Sequence, residues 1–216
     1  PRAYFAGDTQ ECSWILNTIK ARYPQAPLYA VGVSLGANML SKYLGDLGES
    51  AASTVKAAVA IGAPLDLVAG SERISKGVNI FYANMFLSTL KPKLEAKAKR
   101  FPELFDIGAV RRCRTMYDFD SIYTAPIHGF SSAMEYWQKC SCKQVLPDVR
   151  VPLLFLNAKN DPFLPSWCLP TEHEVSSYVV GEFPDEGGHI GFPQGQAPGD
   201  LLYLPTRIQR FFSTGR

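Results

Sequence analysis

Four short, continuously apolar runs constrain the fold of this chain more than any other feature of its sequence. They occupy residues 28–33, 55–61, 151–157 and 175–183, and helical patterns at 8–23, 36–47 and 205–212 flank them. Runs without polar alternation are typical of strands buried on both faces of a parallel sheet. The sequence therefore predicts an α/β fold, with a mostly parallel sheet covered by helices.

The stretch from residue 67 to residue 140 contains helical patterns but no strand-like run. Ile74, Val78, Phe81 and Met85 recur at helical spacing, and a cationic stretch follows at 91–100. We interpret this stretch as a helical cap inserted into one domain. The predicted organisation is residues 1–66 as the central part of the core, 67–140 as the cap and 141–216 as the C-terminal part of the core.

A Gly-x-Ser-x-Gly sequence at residues 32–36 is the strongest chemical signal. It follows a predicted strand and precedes a predicted helix, as a nucleophile elbow requires. We expect Gly32 and Gly36 to be needed for space around Ser34, and the backbone N–H of Leu35 to stabilise an oxyanion. A glycine-rich turn closing a β-α unit is the alternative. A phosphate-binding loop is disfavoured because no lysine follows the second glycine.

A serine nucleophile needs a base, and the chain has three histidines. His189 lies in a glycine-bracketed loop, residues 186–192, after the fourth predicted strand. We expect this loop to be flexible and to bring His189 to Ser34. His173 is predicted to be a solvated surface residue, and His128 a partly buried structural residue of the cap.

The histidine in turn needs an acidic partner. Asp161 follows the third predicted strand and precedes a proline, which makes it the first candidate, although an Asx-type turn is an alternative reading. Asp185 and Glu186 rank second because they would have to fold back within the loop of His189. The order Ser34, Asp161, His189 matches the serine–acid–histidine order of the α/β-hydrolases.

The composition of the chain limits the kinds of partner that we expect it to bind and the cellular compartment in which we expect to find it. A net charge of +2 over 216 residues gives no reason to expect nucleic acid as a partner. The five cysteines are odd in number and irregular in spacing, which favours reduced, mostly buried thiols in a cytoplasmic compartment. No apolar run is long enough to cross a bilayer, so membrane association is expected only through a segment before Pro1.

Several segments together resemble the YheT-type branch of the α/β-hydrolases, also called the AB hydrolase 4 family. The matching segments are residues 23–28, 32–40, 118–120, 127–130, 160–163 and 187–192. The resemblance implies hydrolysis of short- to medium-chain acyl esters or acylglycerols by Ser34, Asp161 and His189. The serine mechanism needs no metal or organic cofactor. The alternatives are an alcohol O-acyltransferase that uses the same acyl-enzyme and a non-catalytic binding protein.

The resemblance also sets expectations outside the triad. Family members carry an upstream stretch with the first strands and a His-Gly loop, which contributes the second oxyanion N–H. We therefore expect this chain to be a fragment that begins within the core. In the cap, Phe81, Met85, Phe86 and Leu87 are candidates to line an acyl pocket, with ordinary core packing as the alternative. The cationic stretch could meet anionic lipid headgroups, with a solvated helix face as the alternative.

Overall fold

The computed structural model describes residues 3–197 and 199–215, and within them the chain forms nine α-helices and four strands. In chain order they are α1 (Thr9–Arg22), β1 (Tyr29–Val33), α2 (Leu35–Leu47), β2 (Ala57–Ile61), α3 (Leu67–Ile74), α4 (Ile80–Ala98), α5 (Ile107–Arg112), α6 (Met116–Phe119), α7 (Ala125–Ile127), α8 (Ala133–Cys140), β3 (Leu153–Leu156), β4 (Val179–Glu182) and α9 (Tyr203–Thr214).

The four strands form one parallel sheet in the order β1-β2-β3-β4. The two central strands, β2 and β3, are buried at every position, as the predicted apolar runs require. The outer strand β1 leaves Val31 and Val33 about half exposed, at 46% and 44%. The predicted α/β fold with a parallel sheet is therefore confirmed.

Each strand is shorter than the apolar run that predicts it, and the fourth differs most. The run at 175–183 yields a strand only at Val179–Glu182. Its first residues form a turn instead, because the Val179 N–H donates to the Ser176 carbonyl at 3.1 Å. The closing helix α9 begins at Tyr203, so Pro205 lies at its third position rather than its first.

The chain divides into two compact units, of which the core unit consists of Ala6–Asp66 and Cys140–Arg216. It contains the whole sheet with α1, α2 and α9. Helix α1 begins where predicted, because the Asp8 side chain accepts the Glu11 N–H at 3.1 Å. Side chains from β2, β3, α9 and the loop after β4 form one buried cluster. Its members are Ala57, Val59, Ile61, Leu154, Leu156, Ala158, Phe192 and Phe211.

The helical unit consists of Leu67–Lys139 together with the residues that precede Ala6. All of its described regular structure is helical, including a π-helical turn at Asp120–Thr124. Its core contains Leu87, Leu94, Val110, Cys113, Phe119 and Tyr123. Residues 3–5, predicted as part of the core, thus group with the helical unit, and Cys140, predicted as the last residue of the cap, belongs to the core unit. Across residues 3–197 and 199–215, no helix combines the length and hydropathy needed to cross a bilayer.

All five cysteines are buried and free. Burial raises the pKa of the Cys12 and Cys168 thiols to about 11 and that of Cys140 and Cys142 to about 12. Because the thiolate is the reactive form, these side chains act as small apolar groups in the core rather than as nucleophiles.

Candidate active site

The carboxyl ends of parallel strands lie at one edge of the sheet, and the polar residues of interest follow these ends. Ser34 comes directly after β1, Gly62 directly after β2 and Asn157 directly after β3. Asp161 lies further along the segment after β3, and His189 lies in the loop that follows β4. One edge of the core unit therefore gathers residues from four segments that are distant in sequence.

Ser34 occupies a strained turn between β1 and α2. Its backbone has φ 54° and ψ −122°, an uncommon conformation for a residue with a side chain. The Ser34 N–H donates to the Ile61 carbonyl at 2.8 Å, and the Ser34 carbonyl accepts the Ala37 N–H at 2.9 Å. These bonds tie the turn to the end of β2 and to the first turn of α2, so the strained conformation is held from both sides.

The two glycines that flank Ser34 have different roles. A Cβ at Gly32 would lie 2.6 Å from the Gly36 carbonyl oxygen and 2.7 Å from the Ala37 Cα, so the expected steric requirement is present there. At Gly36 no atom lies within 4 Å of such a Cβ. The expectation that Gly36 is needed for space is therefore wrong, because the helix leads away from the strand at that point.

Leu35, the predicted oxyanion donor, is the first residue of α2. The first N–H groups of a helix have no acceptor within the helix. The positive end of the helix dipole also lies here, next to the Ser34 hydroxyl. The position therefore suits an amide that receives developing negative charge.

A continuous chain of hydrogen bonds joins Ser34, His189 and Asp161. His189 Nε2 lies 2.9 Å from Ser34 Oγ, and His189 Nδ1 lies 2.8 Å from Asp161 Oδ2. The Asp161 side chain is 1% exposed and the His189 side chain 19%. An ionised carboxylate only accepts, so Nδ1 carries the proton and Nε2 is left to accept the proton of the Ser34 hydroxyl.

Asp161 is fixed by a second bond, since its Oδ1 accepts the Phe163 N–H at 2.8 Å. This is the Asx-type turn that the sequence offered as an alternative reading. Both readings hold together, because one carboxylate oxygen forms the turn and the other faces the imidazole. The Phe163 ring also packs edge-on against His189 with ring centroids 4.7 Å apart, which limits rotation of the imidazole.

The loop that carries His189 forms two hydrogen bonds and packs one aromatic ring into the core, and the flexibility expected from its glycines stays a prediction. The Phe192 N–H donates to the Gly187 carbonyl at 2.9 Å, and Phe192 is buried in the core cluster. The Gly188 N–H donates to Asn160 Oδ1 at 2.8 Å. A Cβ at Gly187 would lie 2.6 Å from the Phe192 ring. The glycine at 187 therefore provides space for a packed aromatic ring.

Two residues that sequence reasoning did not find, Asn157 after β3 and Gly62 after β2, shape this edge of the sheet, and Gly62 lies directly against His189. Asn157 is fully buried, and its side chain bonds both the N–H and the carbonyl of Ala63 at 3.0 Å. Gly62, with φ +59°, lies against the histidine, and a Cβ there would be 2.5 Å from the His189 carbonyl oxygen. The available signal was Asn157 itself, a polar residue at the end of an apolar run.

The other residues considered as catalytic acid or base have different surroundings. Asp185 forms an exposed ion pair with Lys159 at 2.7 Å, and this ammonium holds the pKa of the carboxyl below its ordinary range. His173 is exposed in a short turn, as expected. His128 lies in the helical unit, where Nδ1 is 2.8 Å from the Thr124 carbonyl and Nε2 is 2.8 Å from the Ala3 carbonyl.

The four residues expected to line an acyl pocket lie on two sides of α4. Leu87 is 3% exposed and belongs to the core of the helical unit, because it shares one helix face with Ala83 and Leu94. Phe81, Met85 and Phe86 are 72%, 45% and 38% exposed, so ordinary core packing does not describe these three. The helix thus separates one structural residue from three surface residues.

Several known proteins are similar to this chain in sequence. The chain is 34% identical to YheT of Escherichia coli K12, whose name places it among the esterases, over 99% of the chain and 63% of that protein. It is 29% identical to the human phospholipase ABHD3 over 98% of the chain and 52% of the relative. It is 27% identical to a Saccharomyces cerevisiae monoacylglycerol lipase over 89% of the chain and 44% of the relative. The chain thus spans roughly half to two thirds of the length of these relatives.

Solved structures support the fold. An α/β-fold hydrolase from Bacillus anthracis matches 96% of the chain and 74% of its own length with a TM-score of 0.54 at 13% identity. The Pyrococcus horikoshii acylaminoacyl peptidase matches 94% of the chain and 27% of its own length with a TM-score of 0.53 at 16% identity. No protein-family model matches the chain. By its sequence relatives and its parallel sheet, the chain has an α/β-hydrolase fold and is similar to the YheT-like branch of these proteins.

Proposed function

We propose that the protein is a serine hydrolase that cleaves carboxylic esters through an acyl-enzyme on Ser34. The observation that carries this proposal is the hydrogen-bonded chain from Ser34 through His189 to the buried Asp161. The relatives named as an esterase, a phospholipase and a monoacylglycerol lipase support an ester or lipid as the substrate. Short- to medium-chain acyl esters or acylglycerols are the proposed class.

The first half of the reaction forms the acyl-enzyme. His189 Nε2 removes the hydroxyl proton as Ser34 Oγ forms a bond to the ester carbonyl carbon. The carbonyl π electrons move to the oxygen, and the Leu35 N–H binds the resulting oxyanion. Asp161 stabilises the imidazolium through Nδ1–H. The imidazolium then protonates the alcohol oxygen as the carbon–oxygen bond breaks, and the alcohol leaves.

The second half releases the acid. His189 takes a proton from water, the hydroxide oxygen bonds to the acyl carbon, and a second oxyanion forms at the same N–H. Collapse of this intermediate expels Ser34 Oγ, which regains its proton from His189. An alcohol in place of water would give a new ester, so acyl transfer uses the same residues. We propose a cytoplasmic location for this chemistry, supported by the five free, buried thiols.

Labelling with a fluorophosphonate probe tests the assignment of the nucleophile. The protein should be labelled, and Ser34→Ala should lose the label, because the probe reacts with an activated serine hydroxyl. Ser213→Ala removes an exposed hydroxyl on α9 and is the matched control, which should keep the label. Equal labelling of Ser34→Ala and the unchanged protein would refute the assignment.

Product analysis separates hydrolysis from acyl transfer. With p-nitrophenyl acyl esters and added ethanol, hydrolysis gives the free acid and transfer gives the ethyl ester. We expect the acid to predominate. Predominance of the ethyl ester at low ethanol concentration would instead support the acyltransferase.

A further inference from the structure

We propose that the exposed face around the start of α4 binds the surface of an anionic phospholipid bilayer. This α4 surface consists of Val78, Phe81, Tyr82, Met85 and Phe86. Val78 is 87% exposed and Phe81 72%, and the other three lie between 37% and 45%. Isolated exposed apolar residues are ordinary, but contiguous apolar patches on a protein surface mark interaction sites.

The core of the helical unit is formed by the opposite face of α4 and not by the α4 surface. The opposite face of α4 presents Ala83, Leu87 and Leu94, which are 4%, 3% and 6% exposed. These residues recur at steps of four and seven, so they form the core-facing stripe of a helix. Phe81 and Met85 lie four residues apart on the solvent side. Their side chains therefore contribute little to the packing of the helical unit.

The charged residues further along α4 indicate which kind of partner the α4 surface binds. Lys93, Lys99 and Arg100 are exposed, and Glu95 is the single acidic residue between 77 and 100. Glu95 is itself paired with Arg111 at 2.8 Å. Between residues 67 and 139 the sequence has eleven lysines and arginines against seven acidic residues. A negatively charged surface complements this excess of positive charge.

The order of these groups along the helix suits a lipid–water interface. Phe81 and Met85 lie in the first half of α4, and Lys93 and Lys99 lie at and beyond its last turns. At 1.5 Å per residue, about 27 Å of helix separates Phe81 from Lys99. Aromatic and thioether side chains can enter the acyl boundary at one end while ammonium groups remain among the headgroups at the other.

Co-sedimentation with vesicles tests the proposal independently of catalysis. The purified protein should sediment with vesicles of phosphatidylglycerol and phosphatidylcholine more than with phosphatidylcholine alone. The double variant Phe81→Ser/Met85→Ser should bind at least about tenfold more weakly, because it loses two apolar groups that leave water. Lys93→Gln and Lys99→Gln should each weaken binding about fivefold at low salt and less at high salt.

Two control variants test whether vesicle binding is specific to the α4 surface and whether it is independent of catalysis. Trp167→Ser removes an aromatic side chain that is also 72% exposed, but in the core unit, and should leave vesicle binding within about twofold. Ser34→Ala should bind vesicles like the unchanged protein, so failure of the esterase proposal would not affect this result.

Four outcomes would overturn the proposal. One is an absence of vesicle binding, and another is equal binding by the Phe81→Ser/Met85→Ser variant. The third is a concentration-dependent dimer in analytical ultracentrifugation that this double variant abolishes, since a second copy would then cover the surface. If a form extended upstream of Pro1 bound no vesicles while the present chain did, the added residues would be the partner instead.

Discussion

Two histidines, one at the carboxyl edge of the sheet and one in the helical unit, show how different surroundings give the same side chain different roles. Both rings have partners within 2.9 Å of both nitrogens. His189 lies between a carboxylate and a hydroxyl. His128 lies between two backbone carbonyls and stacks on the Phe5 ring with centroids 4.0 Å apart.

The difference lies in what the partners can exchange. Ser34 has a proton to release and Asp161 has a charge to stabilise an imidazolium, so the ring at 189 can shuttle a proton. The carbonyls of Ala3 and Thr124 only accept, and neither reacts. The ring at 128 therefore joins the N-terminal residues of the helical unit to its interior. Counting hydrogen bonds does not identify a catalytic base, whereas the chemistry of the bonded partners does.

Replacement of the two histidines by alanine should separate these roles, and the effect at position 189 is the largest we expect. His189→Ala should lower kcat/KM by about 10⁴-fold or more, because the serine then lacks its base. The free energy of unfolding should also fall, because the buried Asp161 carboxylate loses its imidazole partner. Hydrolysis of p-nitrophenyl acyl esters measures the first quantity. Activity within tenfold of the unchanged protein would exclude this base.

Gly62→Ala tests whether the contact behind His189 positions it. The added Cβ would lie 2.5 Å from the His189 carbonyl oxygen, so the loop must shift. We expect kcat to fall about 10²-fold with little change in KM, the usual cost of moving a reacting group by about 1 Å.

Gly77→Ala is the matched control for Gly62→Ala. Gly77 has the same φ of +59°, but no atom lies within 4 Å of its Cβ position. Both variants share the backbone strain, so both should lose about 1 kcal/mol or more of unfolding free energy. Only Gly62→Ala should lose activity. Equal kcat values for the two variants would contradict a positioning role.

His128→Ala should affect stability rather than catalysis. The contacts of the ring with the Ala3 and Thr124 carbonyls and one ring stack are lost, so the free energy of unfolding should fall by about 1–3 kcal/mol. Turnover per folded molecule should stay within about twofold. Denaturant titration measures the change, with the exposed His173→Ala as a control expected to lie within about 0.5 kcal/mol of the unchanged protein. A large loss of kcat in His128→Ala would erase the distinction between the two rings.

Asp120→Asn extends the comparison to the carboxylates and should have the smallest effect. Asp161 has a histidine partner, whereas Asp120 is buried and accepts from Trp137 Nε1 at 2.8 Å. Burial raises the pKa of Asp120, so the folded state keeps its proton to higher pH than the unfolded state does. Stability therefore falls as pH rises above the ordinary aspartate pKa of about 4, until the folded-state pKa is passed.

Asparagine can accept the same Trp137 hydrogen bond but carries no charge. Asp120→Asn should therefore match the unchanged protein near about pH 3 and be the more stable of the two at neutral pH. Denaturation across this range measures the difference. Greater stability of the unchanged protein at neutral pH would contradict the sign.

The sheet was predictable because its signal is local. Apolar runs without alternation mark β2 and β3 directly, and residues after parallel strands must share one edge. For that reason the amino-acid sequence alone sufficed to place Ser34, Asp161 and His189 together. The bounds of α1 and α2 also followed within one residue from local signals, such as the cap by Asp8.

What could not be predicted depends on which surfaces meet. Both faces of α4 are apolar in its first half, so helical spacing alone does not separate the buried Leu87 from the exposed Phe81. The contact of Gly62 with His189 joins residues far apart in sequence, and glycine leaves no side-chain signal. The loop of residues 187–192 has glycines that suggest freedom, and its sequence does not indicate that Phe192 packs into the core.

The backbone torsion at Ser34 lowers the stability of the fold at the residue that carries the proposed nucleophile. Glycine adopts a φ of 54° without strain, whereas serine in this conformation lowers the free energy of unfolding by about 1 kcal/mol or more. Heat-based selection from a mutant library would therefore enrich chains that have glycine there and no hydroxyl. Engineering this protein for thermostability requires a readout of turnover alongside melting temperature, because the most stable variants at this position would lack the proposed nucleophile.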